Sequence, residues 1–241
     1  MKKRTSVMAL GLRLTWRAAL IITLLVCVLQ GWLFWRQQSV WGGVEFDFGY
    51  RIALEHVVEN DGIKTAGEYG ALVLLAVLAA CISSAQSDMT LRRLRIREWE
   101  VVAWWSLLIT GYFVIYWAAQ LGMLLWMFRL YSGVSGWGPM DLFISAHTSP
   151  YFHLVLPLSE PWAVARNIFL CAGSGLMVAL NALEGRRGGK PFMLYVFYFL
   201  AKLFLPTGMA SQVADMAAIA VLGCVVIGYI VTIRGRVNNE D

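Results

Sequence analysis

Three charges stand inside long runs of apolar residues: Arg166, Lys202 and Asp215. Such a charge at the centre of a membrane-crossing helix costs on the order of 3 kcal/mol, so it pairs, snorkels to the interface or lines a watery path. All three fall toward the same outer half of their runs. Arg166 or Lys202 can therefore pair with Asp215, as a substrate contact or as a lock between helices. A second concentration of charge is basic. Residues 87–100 read SDMTLRRLRIREWE and carry Arg92, Arg93, Arg95 and Arg97 between two apolar stretches that hold no charge. As a helix this segment places Leu91, Leu94 and Glu98 near one face. It also spaces Arg95 from Glu98, and Arg97 from Glu100, by one turn, so that it can stabilise itself. Four arginines suffice to anchor a loop on one side of a membrane. The regular Leu/Arg/Glu pattern goes further and suggests a docking surface.

Other look-alikes fail on their chemistry. The stretch Gly185-Arg186-Arg187-Gly188-Gly189-Lys190-Pro191 lacks the first glycine of a phosphate-binding loop, where Glu184 stands. It also lacks the Ser or Thr after the lysine, where Pro191 stands. Gly173-Ser174-Gly175 has Ala172 where a serine-nucleophile motif needs glycine, and no later apolar run supplies a histidine. Gly175 and Ala179 read instead as a small-xxx-small pair that lets helices approach, as do Ala210, Ala214 and Ala218. His56, His147 and His153 lie in separate connections without metal-ligand spacing. Cys27, Cys81, Cys171 and Cys224 each sit in an apolar run with no CxxC. Neither a catalytic residue nor a metal or other cofactor is expected in the chain itself.

The elements that must position these residues follow from composition. The chain is 59% hydrophobic and 15% charged over 241 residues, with mean hydropathy +0.63. Soluble domains run nearer 45–50% apolar and 25% charged, so this is the membrane class. The net charge of +5 comes from basic residues in the gaps between apolar runs. It reports topology rather than nucleic-acid binding. The expected fold is an all-α integral membrane protein, one transmembrane domain of six helices. The spans are expected at about 18–35, 69–86, 101–128, 162–183, 192–205 and 213–233. The third run would be about 42 Å long as a helix and must tilt or project; Gln120 is its most polar residue besides Ser106 and Thr110. The fifth is short unless Pro191 and the Pro206-Thr207-Gly208 turn contribute. Residues 1–17, with Leu10 and Leu14 on one face and Arg13 and Arg17 on another, read as a helix lying in the inner interface.

Placing both termini in the cytoplasm puts fourteen of the twenty Lys and Arg residues on the inner side. Residues 87–100 are then a cytoplasmic loop, and 37–68 and 129–161 are extracellular. Within the first outer connection, Ile52, Leu54, Val57 and Val58 suggest an amphipathic helix that Asn60-Asp61-Gly62 would end. Within the second, residues 152–156 are apolar but too short to cross, and suit a re-entrant or interfacial piece.

This layout, with MTLRRL at residues 89–94 opening a loop before a Trp-rich third span, resembles the permease subunits of ABC-2 type ABC transporters. These have the type V exporter-like fold, and the MTLRRL stretch particularly resembles permeases of Gram-positive bacteria. The resemblance implies an interfacial helix at residues 4–16 and a coupling helix at 89–98. Met89, Leu91, Arg92, Arg93, Leu94, Arg95, Arg97 and Glu98 would dock on a separate ABC ATPase subunit that binds ATP and Mg. It further implies a second permease chain, the same or related, and a multi-pass place in the bacterial plasma membrane. Residues 205–212 leave little room for the short re-entrant helices such permeases carry between spans five and six. The alternative is a non-transporting polytopic protein, such as an immunity, sensor-partner or assembly factor. A membrane-embedded enzyme lacks any His, Cys or carboxylate pair within one region of the spans. A secondary transporter would call for an internal repeat.

Overall fold

The computed structural model describes residues 2–41, 61–83, 97–135, 161–186, 192–204 and 212–238, with 140, 151, 155, 157 and 160. They form six helices: α1 (Lys2–Trp41), α2 (Asp61–Ile82), α3 (Glu98–Ser135), α4 (Pro161–Arg186), α5 (Phe192–Phe204) and α6 (Gln212–Asn238). Five of these, all but α5, are long and apolar enough to cross a membrane. The protein is thus a multi-pass helical membrane protein by the length and composition of its helices. At 13 residues, or about 20 Å, α5 alone is short of the roughly 30 Å hydrocarbon core.

The first helix differs from expectation. The sequence suggests a separate interfacial helix over residues 1–17, but α1 runs unbroken from Lys2 through the first span to Trp41. No proline interrupts it, and two hydroxyls bond back one turn, Thr15 to the Gly11 carbonyl at 2.7 Å and Thr23 to that of Ala19 at 2.8 Å. Its N-terminal part is also held by tertiary packing. Val7, Gly11, Thr15 and Ala19 recur every four residues, and all are buried. Trp105 of α3 donates its indole N–H to the Val7 carbonyl at 3.3 Å. A helix stitched to α3 in this way cannot lie flat in the interface. α2 also begins earlier than position 69, because Ile63, Gly67 and Gly70 carry its buried stripe upstream of the apolar run.

α4 is the most buried of the five long helices and touches α2, α3, α5 and α6. α3 and α4 make the most extensive contact. Gly175 is the reason they can. A Cβ there would lie 2.6 Å from the Ser106 carbonyl oxygen and 2.9 Å from the Thr110 amide nitrogen, and against the Thr110 hydroxyl. Without a hydrophobic drive between helices in lipid, such backbone approach is what van der Waals packing needs. Leu20, Ile21, Leu24, Leu25 and Val28 of α1 point outward, as do Phe192, Tyr195 and Phe199 of α5 and Ile227 and Val231 of α6. An apolar exterior suits lipid as the solvent.

Contacts between helix ends show how the bundle alternates. At one end, Val7 of α1 meets Trp105 of α3, and the Arg234 guanidinium of α6 lies 5.4 Å from the Trp99 ring centre. At the same end the Tyr229 hydroxyl donates to the buried Glu184 carboxylate of α4. Asn181 of α4 reaches Ser83, just past α2, at 3.5 Å. The start of α1, the end of α2, the start of α3 and the ends of α4 and α6 therefore share one end of the bundle.

Candidate functional site

The opposite end holds the polar groups. Arg166 in the second turn of α4 donates Nη1 to Asp215 Oδ1 of α6 at 2.5 Å, with both side chains almost wholly buried. Asp215 lies in the first turn of its helix, where the peptide dipoles favour an anion, and Asn167 Oδ1 accepts from the Arg166 guanidinium at 3.3–3.4 Å. Lys202 stands apart from this pair. It is exposed on α5, and its ammonium lies 4.9 Å from the Tyr69 ring centre. Of the three charges singled out in the sequence, two meet and the third does not.

A neutral network lies between α1, α2 and α3. Gln30 Nε2 donates to the Ile63 carbonyl at 3.1 Å, to Gln120 Oε1 at 2.7 Å and to the Tyr151 hydroxyl at 3.2 Å. Tyr151 in turn donates to Gln120 Oε1 at 3.1 Å. Burial pushes the Tyr151 pKa well above the usual tyrosine value, so its hydroxyl keeps its proton and can donate. The network closes over Gly67, where a Cβ would come within 2.5 Å of the Tyr151 oxygen and 2.8 Å of Gln120 Oε1. The Gly67 carbonyl accepts from the Tyr116 hydroxyl at 2.7 Å. Val155 is also pinned: its carbonyl accepts from Trp117 Nε1 at 2.6 Å. Tyr151 and Val155 thus pack into the bundle with Phe34, Ile63, Leu124, Met127 and Phe128.

Beside this network is a cavity of about 130 Å³, bounded by α2, α3, α4 and α5 with Tyr151 and Val155. Its wall is mostly apolar, with Phe113, Trp117, Leu170 and Phe197 among the larger contributors, and Glu68, Gln120, Asn167 and Ser174 bring polar groups to it. Ser174, the centre of the Gly-Ser-Gly triplet, is therefore cavity wall. Among the described residues no group of three His, Cys, Asp or Glu side chains is placed to hold a metal.

Met89, Leu91, Arg92, Arg93, Leu94 and Arg95 lie outside the described residues, as do the 52–58 segment and all three histidines. Arg97 is exposed immediately before α3, and Glu98 opens that helix. Sequence reasoning passed over Gln30 and Glu68. A lone glutamine in an otherwise apolar run was the available signal for Gln30, as it was for Gln120. Tyr151 offered no signal, because only tertiary packing brings its side chain against Gln30 and Gln120. Comparison of the chain with protein-family models, with curated proteins and with solved structures finds no match in any of the three.

Proposed function

We propose that the chain is the membrane-spanning permease subunit of an ABC-2 type exporter, driven by a separate ATPase that docks on residues 88–98. The observation that supports this reading best is where the two helix ends that flank the basic segment lie. It runs from the end of α2 to the start of α3, and these ends lie together with the start of α1 and the ends of α4 and α6. A partner pressing on that segment acts directly on the first turn of α3. Because α3 and α4 touch backbone to backbone at Gly175, α4 must follow, carrying the wall of the cavity at the far end. Rigid-body movement of tightly packed helices is an established way to convert a push at one end into a change of access at the other. ATP and Mg belong to the partner in this reading, and a second permease chain completes the assembly in the plasma membrane.

The test is capture of the tagged chain from its own membranes, with and without Arg92→Glu and Arg93→Glu. An ATP-hydrolysing subunit is expected with the wild-type chain and lost with the double variant at equal expression. Recovery of the chain with no such subunit sinks the proposal and leaves a non-transporting membrane protein.

A further inference from the structure

Three buried side-chain atoms have no hydrogen-bond partner among the described residues: Gln30 Oε1, Glu68 Oε1 and Gln120 Nε2. Glu68 and Gln120 both line the cavity. Rotating the Gln120 amide does not remove the problem. The Ile63 carbonyl fixes which end of the Gln30 amide is NH₂, and that NH₂ faces Gln120 Oε1. Turning Gln120 over would set two NH₂ groups against each other and take from the Tyr151 hydroxyl the oxygen that accepts its proton. The Gln120 NH₂ is therefore held away from the network on a side chain that is 4% exposed. Leaving buried polar atoms unmade costs about 1–3 kcal/mol each, so groups like these call for a partner.

The two orphans are complementary. Glu68 offers an acceptor and Gln120 a donor, and one hydroxyl can donate to the first while accepting from the second. The rest of the wall is mostly carbon, with aromatic rings from Phe113, Trp117 and Phe197 and smaller polar contributions from Asn167 and Ser174. An apolar cavity of about 150 Å³ holds benzene, so about 130 Å³ suits a compact molecule of that order. We propose that this cavity is a binding site for a small, uncharged, apolar alcohol whose hydroxyl bridges Glu68 and Gln120. The site does not depend on whether an ATPase docks at residues 88–98.

The full chain in lipid nanodiscs is tested with three probes of near-equal size, benzyl alcohol, toluene and benzylamine. Saturation-transfer NMR reads binding, with protein-free nanodiscs subtracted. Benzyl alcohol is expected to bind about tenfold more tightly than toluene, the value of two modest hydrogen bonds. Glu68→Leu should erase most of that preference while toluene still binds. This variant removes no hydrogen bond made by Oε1, so the fold should survive it. Ala71→Leu, which fills the cavity from α2, should abolish saturable binding of both probes. Equal binding of alcohol and toluene would overturn the proposal, and so would tightest binding of benzylamine, which would make Glu68 a cation site. Absence of saturable binding would overturn it too, leaving water as the partner of both groups.

Discussion

At the end of the bundle where α3 begins, buried polar groups are closed off. Glu184 takes a hydrogen bond from Tyr229, Asn181 reaches Ser83, and the Trp105 N–H is met by Val7. Midway along the bundle, beside the cavity-lining Ser174, α3 and α4 pack backbone to backbone at Gly175. At the opposite end lie the Arg166–Asp215 pair, the Gln30–Gln120–Tyr151 network and a cavity. All three buried atoms without a partner among the described residues are at this end. The same helices thus close off their polar groups at one end and leave unmet chemistry at the other. Unsatisfied buried groups are rare in native proteins and gather where a ligand, an ion or a change of conformation will meet them. On the reading proposed above, recognition belongs to the second end, where the Arg166–Asp215 pair also ties α4 to α6.

The largest break in that contrast should come from the ion pair. Asp215→Leu leaves the Arg166 guanidinium buried, near the N-terminus of α4 where helix dipoles also repel a cation. Breaking a buried pair by removing one partner costs about 3–5 kcal/mol. Arg166→Leu should cost less, because Asp215 remains in the first turn of α6, where the dipole favours it. Unfolding in mild detergent titrated with SDS measures both, and the exchange Arg166→Asp with Asp215→Arg should restore part of the loss. Equal, small effects from the two single variants would show that the charges snorkel rather than lock α4 to α6.

How much of this could be seen in the sequence follows from which forces are local. The long spans are written in composition, since about 20 consecutive apolar residues have few other uses. Arg166 and Asp215 announced themselves as charges in apolar runs. Their choice of each other over Lys202 depends on α4 packing against α6, with Lys202 turned outward on α5, and no spacing encodes that. The unbroken α1 was hidden because an interfacial helix and the first turns of a longer one share the same 3.6-residue period. What decides between them is burial of Val7, Gly11 and Thr15 against another helix. The early start of α2 was hidden by Lys64 and Glu68, which mask the buried stripe of Ile63, Gly67 and Gly70. Gln30, Gln120 and Tyr151 are single letters in three distant segments, and only the fold makes them one network.

The α3–α4 contact should break next. Gly175→Ala puts a methyl group into the Ser106 carbonyl and the Thr110 backbone, atoms that move only if the helices part. Alanine gains about 1 kcal/mol in helix propensity, but overpacking costs about 1–3 kcal/mol and here meets backbone rather than a flexible side chain. A net loss of up to about 2 kcal/mol is expected in the same SDS titration. Gly111→Ala on α3, where an added Cβ meets nothing within 4 Å, is the matched control and should be neutral or stabilising. If both glycines tolerate alanine alike, the α3–α4 contact is not the rigid joint of the bundle.

The smallest effect should come from the neutral network, and its sign on doubling is what sharpens the contrast. Gln30→Leu removes a donor from Gln120 Oε1, but that oxygen keeps the Tyr151 hydroxyl. The Ile63 carbonyl is likewise left with its place in the α2 ladder. Hydrogen bonds between membrane helices average about 0.6 kcal/mol, so the single variant should cost about 1 kcal/mol. The same variant removes the orphaned Gln30 Oε1, which offsets part of that loss. Made in a Tyr151→Phe background, so that no buried hydroxyl loses its acceptor, Gln120→Leu takes away the second orphan, and replacing both partners by apolar groups of similar shape is close to neutral. The double variant should therefore be no less stable than Gln30→Leu alone in that background. A double variant that loses twice as much would mean the glutamines serve as structural glue, and this end of the bundle would then be built for holding like the other.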